Sequence, residues 1–420
     1  MKVLYEASSI GLGYGHDSAM AGVFRVICEI LRHAESTPGL EVGVCADTNP
    51  VADYWGRLAL RELNVLPPEH WVGAWGHLIP ATIIERYERR YRQKKLARPP
   101  FSYRVLRKLA TLSSWRRADA REWDVFHSLA YPLDQGSSFR VRARCLMIYD
   151  MIPIHSPQFF GDGADMMRAQ HLSLVNSIRP QQDWVTAISE CSKKDFCEFA
   201  RMAPERVFVT PLAAGPEFHP VTNPAVIGAV RAKYKLPAGR YLLSLCTLEP
   251  RKNLPHLVRC FVRFLEETRA DVHLVLAGAQ GWKFDTILQT IEGVGRLRER
   301  IVCPGRIANE DLAALYSGAL AFVYPSLYEG FGLPPLEAMQ CGLPVISSNN
   351  SSLPEVVGDA GLTVAATDTD ALCDALRRVV DDAGLRADLA ARGLARAKLF
   401  SWEKTMDSLI AAYRATQTGA

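Results

Sequence analysis

Short β-rich apolar runs alternate with amphipathic helical stretches along the second half of the chain, and this alternation restricts the fold more than any other feature. The six predicted strands share a short length and few polar side chains, and they lie at residues 241–245, 272–278, 301–305, 320–325, 344–348 and 362–365. Strands that are apolar on both faces belong in a parallel sheet that helices cover on both sides. The pattern therefore predicts a doubly wound α/β domain.

The first half of the chain repeats this alternation more loosely. Six further strands are predicted at residues 3–9, 42–47, 124–129, 145–150, 184–190 and 207–212. A proline-rich stretch at 215–224 follows them and suits a hinge. A chain of 420 residues is about the right length for two domains. The predicted fold is α/β, with two doubly wound Rossmann-like domains facing each other across a cleft.

The predicted boundaries divide the chain into three parts. Residues 1–218 form the first domain, which carries an insertion at 83–123, and residues 219–398 form the second domain. Residues 399–420 are expected to form a helix that packs back on the first domain. Doubly wound sheets bind ligands beside the carboxyl ends of their strands, so the cleft is the expected binding site.

The insertion at 83–123 is strongly basic, although the net charge of the whole chain is only +4. It contains 13 Lys and Arg residues against 4 Asp and Glu residues, interleaved with aromatic and aliphatic side chains. A basic amphipathic surface suits anionic lipid headgroups, and a plain solvated surface is the alternative. Nothing in the sequence resembles a nucleic-acid-binding fold, so no nucleic-acid partner is expected.

The remaining bulk features favour an intracellular protein. Most of the ten cysteines lie in apolar runs, so buried reduced thiols are expected. No apolar stretch reaches the roughly eighteen residues of a membrane span, and the first residues do not resemble a secretion signal. We expect a cytoplasmic protein, with a peripheral position on the inner face of the plasma membrane as a further option.

The most informative motif lies at residues 324–346. A predicted strand ends near Pro325, and a short loop leads from it into a helix. Four residues are expected to present their backbone to a diphosphate: Gly330, Phe331, Gly332 and Leu333. Glu329 at the loop tip is placed to bind sugar hydroxyls, and Glu337, about one turn into the helix, is placed to reach the ribose of a nucleotide.

These residues resemble the paired-glutamate motif of retaining glycosyltransferases with the two-Rossmann (GT-B) fold, family 4 in particular. Glu329 and Glu337 are separated by seven residues, as in that motif. Other stretches that resemble the family lie at 126–128, 185–195, 248–253, 304–307 and 350–361. Each stretch is weak alone, but their order and spacing together are specific.

The resemblance implies that cations hold the donor diphosphate at the start of the second domain. Lys252 matches the family's lysine, but Cys246 and Thr247 stand where many members have an arginine. Arg251 is the candidate substitute, because a guanidinium suits a phosphate, and the alternative is that Arg251 points at solvent. Ile307 follows a strand whose main chain holds the base in the family, and it is expected to pack on the base ring.

The resemblance also implies roles for three residues of the first domain. His127 matches a histidine that contacts the sugar and the reacting centre, and it is expected in a cleft-facing loop. Asp150 follows Tyr149, where relatives often have histidine, and it is expected either to orient an acceptor hydroxyl or to cap a turn. Gly13 lies in segment 11–15, which resembles the family's mobile loop beneath the donor phosphates.

No metal or other cofactor is expected. Asp368 and Asp370 form an Asp-x-Asp sequence like that of metal-dependent transferases, but they begin a predicted helix, so N-capping explains them better. Without a metal, Lys252, Arg251 and the helix N-terminus would balance the charge of the diphosphate.

The predicted function is transfer of a sugar, with retention of configuration, from a nucleoside-diphosphate sugar to a hydroxyl of a lipid-linked or growing glycan. GDP-mannose is the first candidate donor, by analogy with mannosyltransferases. The alternatives are a non-catalytic partner subunit that binds sugar nucleotide or membrane, and a nucleotide-sugar 2-epimerase or phosphorylase of the same architecture.

Overall fold

The computed structural model describes residues 1–14, 22–46, 50–73, 75–77, 83, 86, 101–112, 114–116, 121–133 and 139–418. The strands of the first half are β1 (Lys2–Glu6), β2 (Glu41–Cys45), β3 (Trp75–His77), β4 (Ser114–Arg116), β5 (Glu122–Ser128), β6 (Arg140–Ile148), β7 (Trp184–Ala187) and β8 (Val207–Val209). Those of the second half are β9 (Tyr241–Leu245), β10 (His273–Ala277), β11 (Ile301–Gly305), β12 (Ala321–Tyr324), β13 (Val345–Ser348) and β14 (Leu362–Val364).

Twelve of these strands form two six-stranded parallel sheets, in the orders β2-β1-β5-β6-β7-β8 and β11-β10-β9-β12-β13-β14. In each sheet the strand order reverses beside the first strand, between β1 and β5 and between β9 and β12. Doubly wound sheets bind ligands at such a switch point. The predicted α/β fold with two Rossmann-like domains is confirmed.

Helices connect the strands. They are α1 (Ser8–Tyr14), α2 (Val23–Ser36), α3 (Pro50–Glu62), α4 (Phe101–Leu112), α5 (Ile152–His155), α6 (Ala164–Asn176), α7 (Glu190–Ala200), α8 (Pro224–Lys233), α9 (Leu254–Thr268), α10 (Phe284–Glu292), α11 (Leu312–Ser317), α12 (Leu333–Gln340), α13 (Leu353–Val357), α14 (Thr369–Asp381), α15 (Ala383–Ala397) and α16 (Trp402–Thr418). Asp368 caps α14, since its Oδ1 accepts a hydrogen bond from the Ala371 amide at 2.9 Å, so the predicted cap is confirmed.

Helix α9 shows how the second sheet is covered. Its buried apolar residues recur every three or four positions, at 254, 257, 258, 261, 264 and 265, and they join the core beneath the sheet. Arg259 and Arg263 lie on the exposed side of the helix. Each buried leucine or phenylalanine on such a face stabilises the fold by about 1.5–3 kcal/mol relative to an exposed one. The apolar period therefore fixes which side of α9 faces the sheet.

Two local predictions were wrong. The strand predicted at 184–190 ends at Ala187, because Ser189 caps α7 by accepting a hydrogen bond from the Ser192 amide at 3.0 Å. Segment 11–15, predicted as a loop, is helical through Tyr14, and Gly15 lies outside the described residues. Gly11 permits this helix to pack on α3, since an added Cβ would clash with the carbonyl of Ala52.

The basic insertion contains elements that the sequence did not predict. Strand β4 pairs in antiparallel fashion with β3, and α4 packs against α3. Residues 84–85, 87–100, 113 and 117–120 of the insertion lie outside the described part of the chain. The structure therefore describes only part of the predicted basic surface, chiefly α4 and β4.

The last helix, α16, packs against the first sheet rather than the second. It contacts α2, β6, β7 and β8. Thr405 donates a hydrogen bond to the carbonyl of Pro211 at 2.6 Å, and the Tyr413 hydroxyl is buried against Tyr5 and His127. The chain thus crosses between the two sheets twice, once before α8 and once before α16.

All ten cysteines are free thiols, and Cys303 is the exposed one. Among the described residues, none of the helices has the length and apolar content needed to cross a bilayer.

Candidate active site

The carboxyl ends of β9 and β12 bring together the two predicted cations and the first motif glutamate. Glu329 Oε1 accepts a hydrogen bond from Lys252 Nζ at 2.6 Å, and Glu329 Oε2 accepts one from Arg251 Nη1 at 2.6 Å. Ser326 Oγ also donates to Oε1, at 2.6 Å. Arg251 therefore does not point at solvent, and it joins Lys252 at the switch point of the second sheet.

Local sequence explains why the two cations lie there. A short 3-10 turn at Pro250–Lys252 follows β9, and Asn253 ends it in the left-handed conformation, with φ 58°. The Asn253 side chain then donates hydrogen bonds to the carbonyls of Pro325 and Ala366, at 3.1 and 2.7 Å. An asparagine tolerates this backbone conformation better than most residues. The turn is thereby fixed to the end of β12, where the Tyr324 hydroxyl accepts a hydrogen bond from Lys252.

A second buried carboxylate makes this cluster electrically balanced. Glu249 accepts two hydrogen bonds from Arg251, at 2.7 and 3.1 Å, so two cations face two carboxylates. Burial alone would raise the pKa of Glu329, but the charges of Arg251 and Lys252 outweigh it and bring the pKa to about 2. Glu329 is therefore ionised at any physiological pH and acts as a hydrogen-bond acceptor.

The loop after Glu329 offers its backbone rather than its side chains. Gly332 has φ 134°, a conformation that L side chains rarely adopt, and it precedes α12. The Phe331 ring is buried against Phe400, with ring centroids 5.9 Å apart. Because Pro334 and Pro335 have no N–H, any amide that the helix start gives to a diphosphate comes from residues 330–333.

The first domain holds this loop from the other side of the cleft. The Gly330 carbonyl accepts hydrogen bonds from Ser189 Oγ at 2.7 Å and from Ser192 Oγ at 3.1 Å. A Cβ at Gly330 would clash with the carbonyl of Tyr149 and lie 2.9 Å from the Cβ of Asp150. Asp150 therefore lies beside the Glu329 loop, and its Oδ1 also accepts a hydrogen bond from the Ile152 amide at 2.9 Å, as in the capping alternative.

Glu337 lies apart from this cluster. Its Oε1 accepts a hydrogen bond from Arg25 of α2, and its Oε2 accepts one from the Tyr316 hydroxyl at 3.0 Å. Burial raises the pKa of the Glu337 carboxyl, although the charge of Arg25 opposes the rise. The two motif glutamates thus have separate sets of partners.

His127 does not occupy the predicted cleft-facing loop. It lies within β5, fully buried, and its ring nitrogens bond to the Tyr413 hydroxyl at 2.7 Å and to Thr186 Oγ1 at 3.1 Å. Burial lowers the pKa of His127 to about 3, so the imidazole is neutral. Burial of the His127 ring between Tyr413 of α16 and Thr186 of β7 explains the difference, and this geometry does not support a contact between His127 and the sugar.

Ile307 and Gly13 are the two predicted donor-binding residues that lie outside the motif loop and the cation cluster. The Ile307 side chain is buried in the core that includes Leu312 and Tyr316. Its exposure of 4% leaves little of the side chain for a base to contact. Gly13 lies in α1, and its helical backbone replaces the expected mobile loop.

Sequence reasoning missed the side-chain partners of Glu337 and of the Gly330 carbonyl. Arg25 and Tyr316 carry no local motif, and Arg25 lies 312 positions before Glu337. Ser192 belongs to the 185–195 stretch that resembles the family, which was the one available signal.

Comparisons with known proteins identify the family of this chain. Residues 229–396 match the model of the family described as glycosyl transferases group 1. The chain is also 35% identical over 301 residues to the O-antigen chain mannosyltransferase B of Escherichia coli, covering 72% of this chain and 76% of that protein. The chain belongs to the group 1 glycosyltransferases.

Other relatives and solved structures extend this result. The serotype-specific mannosyltransferase WbdA of Escherichia coli is 33% identical over 260 residues, which cover 61% of this group 1 glycosyltransferase and 31% of WbdA. A sucrose-phosphate synthase from Thermosynechococcus elongatus superposes with a TM-score of 0.66 at 20% identity, covering 100% of this chain and 99% of that one. HepE from Anabaena, solved with UDP, superposes with a TM-score of 0.64 at 15% identity, over 98% and 99% of the two chains. These superpositions establish the GT-B fold, and the predicted glycosyltransferase is confirmed at the level of the family.

Proposed function

We propose that this glycosyltransferase moves a sugar from a nucleoside-diphosphate sugar to a hydroxyl of a lipid-linked or growing surface glycan, with retention of configuration, as family 4 enzymes do. The observation that carries the proposal is the pair of buried cations, Arg251 and Lys252, on Glu329 at the switch point of the second sheet. GDP-mannose is the first candidate donor, since the O-antigen enzyme and WbdA are both named as mannosyltransferases.

In this proposal the cations exchange partners when the donor binds. Lys252 and Arg251 turn from Glu329 toward the diphosphate, and the released carboxylate oxygens accept hydrogen bonds from sugar hydroxyls. A carboxylate with a pKa of about 2 is a weak base, so Glu329 suits this acceptor role better than proton abstraction.

The chemical step then proceeds on one face of the sugar. The bond between the anomeric carbon and the phosphate oxygen breaks, the acceptor oxygen bonds to the same carbon, and the acceptor proton passes to the departing phosphate. Asp150, beside the Glu329 loop, orients the acceptor hydroxyl in this proposal. Two protein cations and the amides of residues 330–333 balance the diphosphate charge, so we expect transfer to continue in EDTA.

A donor panel tests the proposal. We expect one series among GDP-, UDP-, dTDP- and ADP-linked sugars to raise the melting temperature, because a ligand at one hundred times its Kd adds about 2.7 kcal/mol of stability. Lys252→Ala should lose this shift, and Arg269→Ala, on the far side of the second domain, should keep it. The anomeric configuration of the product, read by NMR, tests retention. Donor binding without turnover on any glycan or lipid acceptor would favour the alternative of a non-catalytic partner subunit.

The exposed face of α4 supports a second part of the proposal, peripheral attachment to an anionic membrane from the cytoplasmic side. Phe101 is 78% exposed and Leu112 is 73% exposed, and Val105 and Lys108 lie on the same face of the helix. Leu106 turns inward and packs against the core. An apolar stripe beside basic residues is the pattern of an interfacial helix.

Vesicle binding tests this attachment. We expect co-sedimentation with vesicles that contain phosphatidylglycerol and little with pure phosphatidylcholine. The double substitution Phe101→Ser and Leu112→Ser should abolish sedimentation while transfer to a soluble acceptor persists. Equal sedimentation of the variant and the parent protein would exclude α4 as the attachment surface.

A further inference from the structure

The ion pair between Arg25 and Glu337 joins the two domains. Arg25 lies in the first turn of α2, in the first domain, and its guanidinium also lies over the ring of Phe218, 5.5 Å from the centroid. The Arg25 side chain is 30% exposed, whereas that of Glu337 is 4% exposed. The carboxylate is therefore buried in the second domain, and its charge is met by a residue from the other side of the cleft.

The geometry leaves Glu337 one orientation. Arg25 bonds to one carboxylate oxygen and Tyr316 to the other, so rotation of the carboxylate would break both hydrogen bonds. Each carboxylate oxygen has a second lone pair, which can accept a further hydrogen bond. A ribose presents two neighbouring hydroxyls, and a fixed, charged carboxylate can accept from both of them.

We propose that Arg25 is a positioning residue of the donor site, which holds the Glu337 carboxylate charged and oriented for the ribose, so that the site is complete only when the two domains meet. This inference rests on the proposed function, in which Glu337 binds the ribose of a nucleoside diphosphate. It adds a residue of the first domain to the ribose-binding part of the site, which the sequence motifs place in the second domain through Glu337.

The charges around Glu337 give the inference a pH signature. The titratable and charged groups that face its carboxylate are Arg25 from α2, Glu217 from the connecting segment, Tyr316 from α11 and Cys341 at the end of α12. Burial and Glu217 raise the pKa of Glu337, and Arg25 and the Tyr316 hydrogen bond lower it. Loss of Arg25 therefore raises the pKa further, and ribose binding should fail at a higher pH than in the parent protein.

Calorimetric binding of GDP and UDP across a range of pH tests the inference. Arg25→Ala should weaken binding of the preferred nucleotide about tenfold or more, raise the KM for the donor by a similar factor and leave kcat nearly unchanged. Its binding should decline at a higher pH than that of the parent protein as the solution is acidified. Arg25→Lys should recover part of the affinity, because it restores the charge without the planar fork.

Two further variants separate positioning from folding. Tyr316→Phe keeps the ring in the core and removes only the second hydrogen bond, so it should weaken binding in the same direction without loss of the fold. Arg32→Ala is the matched control on α2, since Arg32 pairs with Glu29 of the same helix, and it should bind nucleotide normally. Parent protein that binds neither nucleotide would overturn the proposed function together with this inference. Normal or tighter binding by Arg25→Ala, beside a parent protein that binds, would overturn this inference alone.

Discussion

At the scale of single residues, the two motif glutamates have different electrostatic surroundings. Glu329 faces two cations from its own domain, whereas Glu337 faces one cation from the other domain. The spacing of the motif predicted both glutamates as site residues. It could not predict this division, because Arg25 is close to Glu337 only in the folded molecule.

Removing the charge of Glu329 should separate binding from turnover. Glu329→Gln removes the carboxylate that pairs with Lys252 and one of the two that pair with Arg251, so we expect nucleoside diphosphate to bind as tightly as before or up to about tenfold more tightly. The transfer rate should fall by about a hundredfold or more, since the sugar loses a charged acceptor. Calorimetry and initial rates measure the two effects, with the exposed Glu292→Gln as control. A parallel loss of diphosphate affinity would contradict the exchange of partners.

His127 should make the stability of the fold depend on pH. The unfolded chain takes up a proton on this histidine near pH 6.5, but the folded chain does so only near pH 3, because burial opposes the charge. The contribution of His127 to the free energy of unfolding is therefore complete above pH 6.5 and is lost as the pH falls toward 3. The loss reaches about 3 kcal/mol by pH 4.

Thermal melts between pH 7 and pH 4 measure this dependence. His127→Gln cannot titrate and should flatten it, whereas the exposed His155→Gln should not. An unchanged pH dependence in His127→Gln would show that His127 is already accessible to protons. The local sequence around His127 resembled a polar strand end, and its true surroundings depend on Tyr413, which lies 286 positions away.

At the scale of elements, the strands of the two main sheets were predictable from the sequence, but helix α1 and the short strands β3 and β4 were not. All twelve strands of the two main sheets lie within predicted runs or overlap them, because burial on both faces leaves a strong apolar signal. Helix α1 was missed, since its Gly11 serves close packing on α3 rather than a loop. The antiparallel pair of β3 and β4 has only three residues in each strand, which is too short to leave a pattern.

Helix α7 of the first domain is held at its start by the second domain. Glu355 of α13 accepts hydrogen bonds from the Glu190 and Cys191 amides, each at 2.8 Å. A carboxylate is favourable at a helix N-terminus, where amides lack intrahelical partners. The same helix start carries Ser189 and Ser192, which bond to the Gly330 carbonyl. We infer that Glu355 couples domain contact to the position of the Glu329 loop.

Glu355→Ala should loosen this coupling. We expect about 1–2 kcal/mol less stability, faster hydrogen exchange at the amides of Glu190 and Cys191, and a larger radius of gyration in solution scattering. Glu292→Ala removes an exposed acid of the same domain and should change none of the three. Unchanged exchange at the two amides would show that the domains do not rely on this contact.

At the scale of the whole molecule, the first domain depends on the last helix. Helix α16 covers β6, β7 and β8, and its Tyr413 completes the hydrogen bonds of His127. A chain that ends at residue 398 should therefore lose protection in the first sheet and retain it in the second. Hydrogen exchange resolved by peptide measures this difference, and equal protection of both sheets would show that α16 is dispensable.

The return of α16 to the first domain also sets an order of events during synthesis. His127 must wait for Tyr413, 286 residues later, which at about 5–20 residues per second is a delay of roughly 15–60 s. The second domain is translated whole during that interval, so the domain made first is finished last. A nascent chain on the ribosome would thus expose apolar surface of the first domain until α16 packs against it. Chaperones bind surfaces of this kind.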